Sequence, residues 1–285
     1  MRLISGAILT SLLLTGAGCM RSEPTFEPDI IPPPPKQESI NPPGEIKIES
    51  AGFKKSFRLN EFASCDIDIT YPSFPAGELD EIQQLQIEHE MSHYIALVLG
   101  SSAEIDAPSE LETLGEAYIA NCQNEVTTEY NDLQSSGEEL FTNLQHYIDL
   151  SFNVTLNENK LLSLTLNESS YEGGAHPNYN SIAINADRES GELIRLEFAF
   201  TPEHMADLMA LEKTKLLAEH GEDLYPDILD ERQTISFYLT PTALVTFYSP
   251  YEIAPYAAGP IEVELPYSEI KEFINPDGPL AAVLK

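Results

Sequence analysis

Three short stretches carry the side chains of this sequence that could do chemistry. The first is Tyr171-Glu172-Gly173-Gly174-Ala175-His176-Pro177-Asn178-Tyr179. Paired glycines permit positive φ and close backbone approach, and Pro177 restricts His176 to extended geometry. A chain reversal there would gather Tyr171, Glu172, His176, Asn178 and Tyr179 into a small binding or proton-transfer site. The plainer alternative is a wide turn whose imidazole caps backbone groups, since a lone histidine without a nucleophile or metal partner is weak ground for catalysis. The second stretch runs from Tyr248 to Gly259, with three tyrosines and two prolines. It predicts a stiff aromatic loop, in which Tyr251 and Tyr256 suit an interface because tyrosine buries much area at little entropy cost. Core filling would use the same residues. The third is His89-Glu90-Met91-Ser92-His93, which fits the zinc-protease order His-Glu-x-x-His. A helix would set both imidazoles on one face with Glu90 as general base. No Gly-x-x-His follows, so Glu112 or Glu116 would have to supply the third ligand, and plain exposed helix histidines are the simpler reading.

The elements that must position these groups follow two periodicities. Over 78–99, Ile82, Leu85, Met91, Ile95 and Val98 give an apolar helical stripe that Gly100 is placed to stop. Over 108–133, Leu111, Leu114, Tyr118, Cys122, Val126 and Tyr130 recur at steps of three or four, with Pro108 allowed in the first turn. Residues 66–70 predict an edge strand. From Ile148 the period is 2: Ile148, Leu150, Phe152, Val154 and Leu156 alternate with polar residues. The turn at 157–160 returns the chain into Leu162, Leu164 and Leu166, an antiparallel hairpin. Ile182 and Ile184 mark a third strand; Ile194, Leu196, Phe198 and Phe200 mark a fourth. Thr201-Pro202 opens a helix through Met205, Leu208, Met209 and Leu216 to Gly221. Strands at 235–239, 244–248 and 261–265 and a helical turn from Ser268 follow. Hairpins and a few helices, without repeated βαβ units, predict an α+β fold with antiparallel sheet hairpins packed against a few helices.

The N-terminus predicts export. Arg2 precedes an apolar run from Leu3 to Leu14, and Gly16, Ala17 and Gly18 lead into Cys19. Residues 1–18 read as a lipoprotein signal peptide, too short for a convincing membrane span, and Cys19 as an acylated anchor. An ordinary cleaved signal is the alternative. Residues 19–48 read as a proline-rich tether. Met20 after the cysteine points to an outer-membrane protein facing the periplasm of the cell envelope. Beyond the tether, 49–160 and 161–285 read as two α+β parts of one compact unit. Cys65 and Cys122 remain as one possible disulfide, worth about 3–4 kcal/mol by chain entropy, or as two buried thiols.

The chain has 47 acidic residues against 15 Lys and Arg, and from Leu59 to Asn159 no Lys or Arg at all. Such a field repels nucleic acid and anionic headgroups and attracts cations and basic proteins. A salty habitat would select the same acidity, so a basic partner and habitat both remain open.

Several segments resemble a known family. Glu172 to Pro177, Gly191-Glu192-Leu193, Leu196 to Phe200, Phe237-Tyr238-Leu239-Thr240 and Tyr248 to Gly259 look like the RsiV-type domain of unknown function (the DUF3298 family) over about 165–268. Residues from about 60 to 160 look like its usual DUF4163-like companion. Some members of that family are the extracellular part of membrane-anchored anti-sigma factors that bind lysozyme; others precede a peptidoglycan deacetylase domain. This sequence shows no sigma-binding region, no internal membrane helix and no added deacetylase domain, so neither transcriptional control nor deacetylation is expected to carry over. The resemblance implies a non-enzymatic envelope binding module for a basic protein such as lysozyme, or for peptidoglycan. Its ligand-binding residues would be Tyr171, Glu172, His176, Asn178, Tyr179, Tyr251 and Tyr256, with no catalytic residue, metal or cofactor. The alternative expectation is a cell-envelope hydrolase using His176 or the His89/His93 pair.

Overall fold

Strand structure begins at Glu49, well before residue 66. The computed structural model describes residues 45–284 except 104, 106, 137–143, 191 and 233. The signal segment, Cys19 and the tether up to residue 44 lie outside the described residues. β1 (Glu49–Arg58) and β2 (Ala63–Ser73) form an antiparallel hairpin with Phe57 opposite Cys65. Residues 66–70, expected at a sheet edge, therefore lie in an interior strand: β1 covers one side and β3 (Leu144–Glu158) pairs parallel on the other. β1 alternates exposed and half-buried positions and carries little apolar signal, which is why the sequence hides it.

The parallel β2–β3 pair requires a crossover, and two helices supply it. α1 (Glu81–Val98) opens on a capping box: Asp80 accepts from the Ile82 and Gln83 amides, and the Gln83 side chain accepts from the Asp80 amide. It ends at Gly100, whose φ of +73° lets the Gly100 and Ser101 amides reach the Leu97 and Ala96 carbonyls. Its core face is Ile87, Met91 and Ile95. Ile82 and Leu85, expected on that face, are 66% and 54% exposed. The capping box and a hydrogen bond to the Arg188 carbonyl hold Gln83 inward and turn them out. α2 (Leu111–Ser136) buries Leu111, Cys122 and Val126. It lies so close to β1 and β2 that a Cβ on Gly115 would stand 2.4 Å from Phe53 Cε2. The expected Cys65–Cys122 disulfide is present and ties α2 to β2, with a Cα–Cα distance of 6.2 Å.

β4 (Leu161–Tyr171) and β5 (Asn178–Asp187) complete an antiparallel run, giving the order β1-β2-β3-β4-β5. Asn159 and Lys160, both at positive φ, make the tight β3–β4 turn. The two sides of residue 160 are thus neighbouring strands of one sheet. Alternation decides the faces. Ile148, Leu150, Leu162, Leu164, Leu166 and Ile184 pack with the core-facing residues of α1 and with Leu111 of α2. The opposite face carries Thr155, Ser163, Thr165, Asn167, Ser181 and Asn185, and a second sheet lies over part of it. Ser163 Oγ accepts from the Leu239 amide at 2.9 Å and from Thr155 Oγ1 at 2.8 Å, and donates to Asn185 Oδ1 at 2.7 Å. Asn185 Nδ2 donates to the Phe237 carbonyl. This buried set pins the two sheets together.

The second sheet has the order β6 (Ser236–Leu239), β7 (Ala243–Tyr248), β8 (Ile261–Pro266), all antiparallel. A fourth strand was expected over 194–200; instead Leu196–Ala199 is a short helix, α3. Leu196, Ala199 and Phe200 are buried at helical spacing while Phe198 is 56% exposed, so the apparent period of 2 breaks at Phe198. α4 (Pro202–His220) and the short α5 (Pro226–Glu231) and α6 (Tyr267–Ile270) pack around this sheet. The core there holds Glu212, fully buried and bonded to Nη1 and Nη2 of Arg232 at 3.2 and 2.7 Å. Tyr248 Oη donates to Glu212 and accepts from Arg232. An α+β fold of antiparallel hairpins packed on several helices is what the structure has.

Candidate functional site

The two stretches that look aromatic in the sequence meet in space. β4 ends at Tyr171 and β5 begins at Asn178, so residues 172–177 form the reversal between them. Gly173 and Gly174 both sit at φ near +100°, at 96° and 104°, where only glycine is comfortable. The Tyr171 hydroxyl closes the turn on the Gly174 carbonyl at 2.9 Å. Glu172 faces away, accepting from Tyr118 Oη of α2 at 3.3 Å, and Asn178 is exposed at the strand start. His176 points across to the loop between β7 and β8. Its ring stacks on Tyr256 with centroids 3.6 Å apart and planes 16° apart, and Nε2 lies 3.1 Å from Tyr251 Oη. Tyr179 follows at 6.4 Å from the Tyr256 ring. Of the seven residues expected to bind ligand, His176, Tyr179, Tyr251 and Tyr256 therefore form one cluster. Tyr171 shapes the turn beneath them, and Glu172 and Asn178 stand apart.

The tautomer of His176 follows from its other contact. Nδ1 lies 3.1 Å from the Pro177 carbonyl oxygen, which can only accept, so Nδ1 carries the hydrogen. In the neutral ring Nε2 is then a bare lone pair, and the Tyr251 hydroxyl donates to it. Tyr251 is held there against a cost. Its φ is +71°, a left-handed conformation unfavourable for a bulky side chain, and it is 56% exposed. A strained, exposed residue whose hydroxyl meets an oriented imidazole is an arrangement that sites retain and cores do not need. Burial raises the Tyr256 hydroxyl pKa above its usual range, and nearby Tyr179, Tyr147 and Tyr251 add to the shift, so it stays a neutral platform.

The other histidine pair offers less. α1 does set His89 and His93 on one face, with ring centroids 6.3 Å apart. Glu90 faces Arg195 at 3.9 Å, and Glu112 and Glu116 both bind Lys55, at 2.7 and 3.1 Å. Among the described residues no group of three or more His, Cys, Asp or Glu could hold a metal ion.

Beside the His176 cluster lies a cavity of about 140 Å³ between the sheets, lined on one side by Asn153, Thr155, Thr165, Asn167 and Ser181. None of these five residues stands out in the sequence. The signal that could have found them is the recurrence of amide and hydroxyl side chains at alternate positions of three successive strands.

Comparison with known proteins gives two family matches. Residues 60–179 match the model of the family Deacetylase PdaC, and residues 193–268 match DUF3298, a protein family of unknown function. No curated protein matches the chain. Two solved structures share the fold. A DUF3298-family protein of Bacteroides fragilis has a TM-score of 0.68 at 22% identity, over 85% of this chain and 98% of that one. A DUF3298-family protein of Pseudomonas aeruginosa PAO1 has a TM-score of 0.55 at 18% identity, over 81% and 95%. The expectation of a non-enzymatic binding module, and with it the expectation that deacetylation does not carry over, is corrected by the first match. The segment that resembles a deacetylase family contains His176, and it points to hydrolase-type activity. Residues 193–268, which supply Tyr251 and Tyr256 to the cluster, are similar to the DUF3298 family.

Proposed function

We propose that this protein is a cell-envelope hydrolase of the acyl-removing kind, with its chemistry centred on His176. The observation that carries the reading is the contact of His176 Nε2 with Tyr251 Oη at 3.1 Å, with the tautomer set by the Pro177 carbonyl. A base and a hydrogen-bond donor side by side are what hydrolysis of an amide or ester needs. When a substrate carbonyl takes the Tyr251 hydrogen bond, Nε2 is released to accept a proton from water. The water oxygen bonds to the acyl carbon, the bond to the leaving nitrogen or oxygen breaks, and the proton held at Nε2 passes to that leaving atom. Tyr256 holds the imidazole plane by stacking. The deacetylase match over residues 60–179 supports this class of reaction, and peptidoglycan is the envelope polymer such an enzyme would meet.

The finer reading, an RsiV-type domain preceded by a DUF4163-like companion, stands with this proposal. It is supported by the order of the two family matches and by the joining of both matched segments at one cluster. The envelope location rests on the sequence of residues 1–19, and Cys19→Ser is expected to release the protein from membranes. The reaction itself is tested by acetate release from an acetylated substrate, with His176→Ala as the comparison.

A further inference from the structure

The cavity next to His176 has a composition that selects its ligand. Its walls come from both sheets. β3, β4 and β5 contribute Asn153, Thr155, Asn167 and Ser181, and the second sheet contributes Tyr238 and Glu262. The amides and hydroxyls are already oriented. Ser181 Oγ donates to Asn167 Oδ1 at 2.9 Å, Asn167 Nδ2 donates to Thr165 Oγ1 at 3.3 Å, and Thr155 is fixed by Ser163. Preorganised polar groups bind without first losing side-chain entropy. Among the described residues no Lys or Arg lines the cavity and Glu262 is its one carboxylate, hydrogen-bonded with Tyr238. An anionic ligand would find only repulsion there in a chain of net charge −32. An extended peptide segment is longer than a cavity of about 140 Å³ can hold. An apolar ligand would bury the remaining hydrogen-bonding capacity of these amides and hydroxyls unused. A neutral, hydroxyl-rich ring with apolar faces fits the polar wall and the Tyr179 and Tyr238 rings together.

Size narrows the class further. A cavity of about 140 Å³ compares with the roughly 150 Å³ engineered cavity that holds one benzene, and is well below the ~300–1,000 Å³ of drug-sized pockets. It takes one ring, not a chain running through. Tyr179 belongs both to this lining and to the aromatic cluster, and Pro250 of the lining precedes Tyr251, so a ring seated here lies against the hydrolytic pair. We infer that this inter-sheet cavity is a binding site for the terminal ring of an uncharged saccharide, and that the protein works at chain ends. The inference rests on the proposed hydrolase for its purpose, while its geometry stands independently of that reaction.

The test is ligand-observed NMR on the full chain with three probes: methyl β-N-acetylglucosaminide, chitotetraose, and α-cyclodextrin, which has no chain end. Saturable binding is expected for the first two and not for the third. Asn153→Ala and Ser181→Ala, each shown by melting to be folded, are expected to weaken ring binding about tenfold, the effect of one polar contact of ordinary size. His176→Ala is expected to keep ring binding. Equal binding of the cyclodextrin would overturn chain-end recognition. Binding insensitive to both cavity variants, or no binding at all, would overturn the site even if acyl hydrolysis is found. Ring binding without any hydrolysis would leave the site standing and remove the hydrolase.

Discussion

His176 and Tyr251 are 75 residues apart in sequence, yet Nε2 of one lies 3.1 Å from the hydroxyl of the other. The contact joins the turn between β4 and β5 to the loop between β7 and β8, and so joins the two segments that match different families. Neither segment alone holds both the oriented base and the donor.

The backbone of Tyr251 gives the first prediction. A φ of +71° costs a non-glycine residue about 1–2 kcal/mol. Tyr251→Gly should leave the melting temperature unchanged or raise it, because glycine relaxes the strain while only a half-exposed ring and its hydrogen bond to His176 are lost. The same variant should lose acyl hydrolysis. A large drop in stability would mean that Tyr251 serves packing.

Ser163 is the joint between the sheets. Replacing it by alanine removes the acceptor of the Leu239 amide and the donor to Asn185, both buried. Urea unfolding of Ser163→Ala should show a loss of about 2 kcal/mol. Asn185→Ala should cost a similar amount, and the double variant less than the sum, since the two share one network.

Alkali should unfold the protein early. Tyr94, Tyr118, Tyr238, Tyr248 and Tyr267 all have their phenol pKa raised, with burial the largest cause in each. The folded state therefore holds these protons more tightly than the unfolded state, whose tyrosines titrate near pH 10. Their contribution is complete below about pH 10 and is lost as pH rises above it. Urea midpoints at pH 8, 9, 10 and 11 should be level over the first two and fall over the last two. A level midpoint to pH 11 would contradict this.

Legibility followed local chemistry. The two crossover helices, the β3–β4 hairpin and the glycine turn before His176 have signals in neighbouring residues, and Cys65 and Cys122 formed a possible pair from the outset. β1 was hidden because an edge strand that holds Glu49, Lys54, Lys55 and Arg58 carries no apolar run. Residues 194–200 read as a strand because Ile194, Leu196 and Phe200 share even numbers, but tertiary burial of Ala199 and Phe200 selects a helical turn. The site was half legible. His176, Tyr251 and Tyr256 stood out by type, whereas their contact depends on how the sheets dock. The cavity residues did not stand out, because a strand's polar side does not reveal whether water or a second sheet covers it.

The most direct measurement is acetate release by the purified protein from an N-acetylated saccharide, compared with His176→Ala and Tyr251→Phe. Release by the wild-type protein is expected, reduced about 10²–10⁴-fold in His176→Ala and about 10²-fold or more in Tyr251→Phe, with both variants folded. Release no faster than the uncatalysed rate, or a His176→Ala rate equal to that of the wild type, would contradict a hydrolase centred on His176.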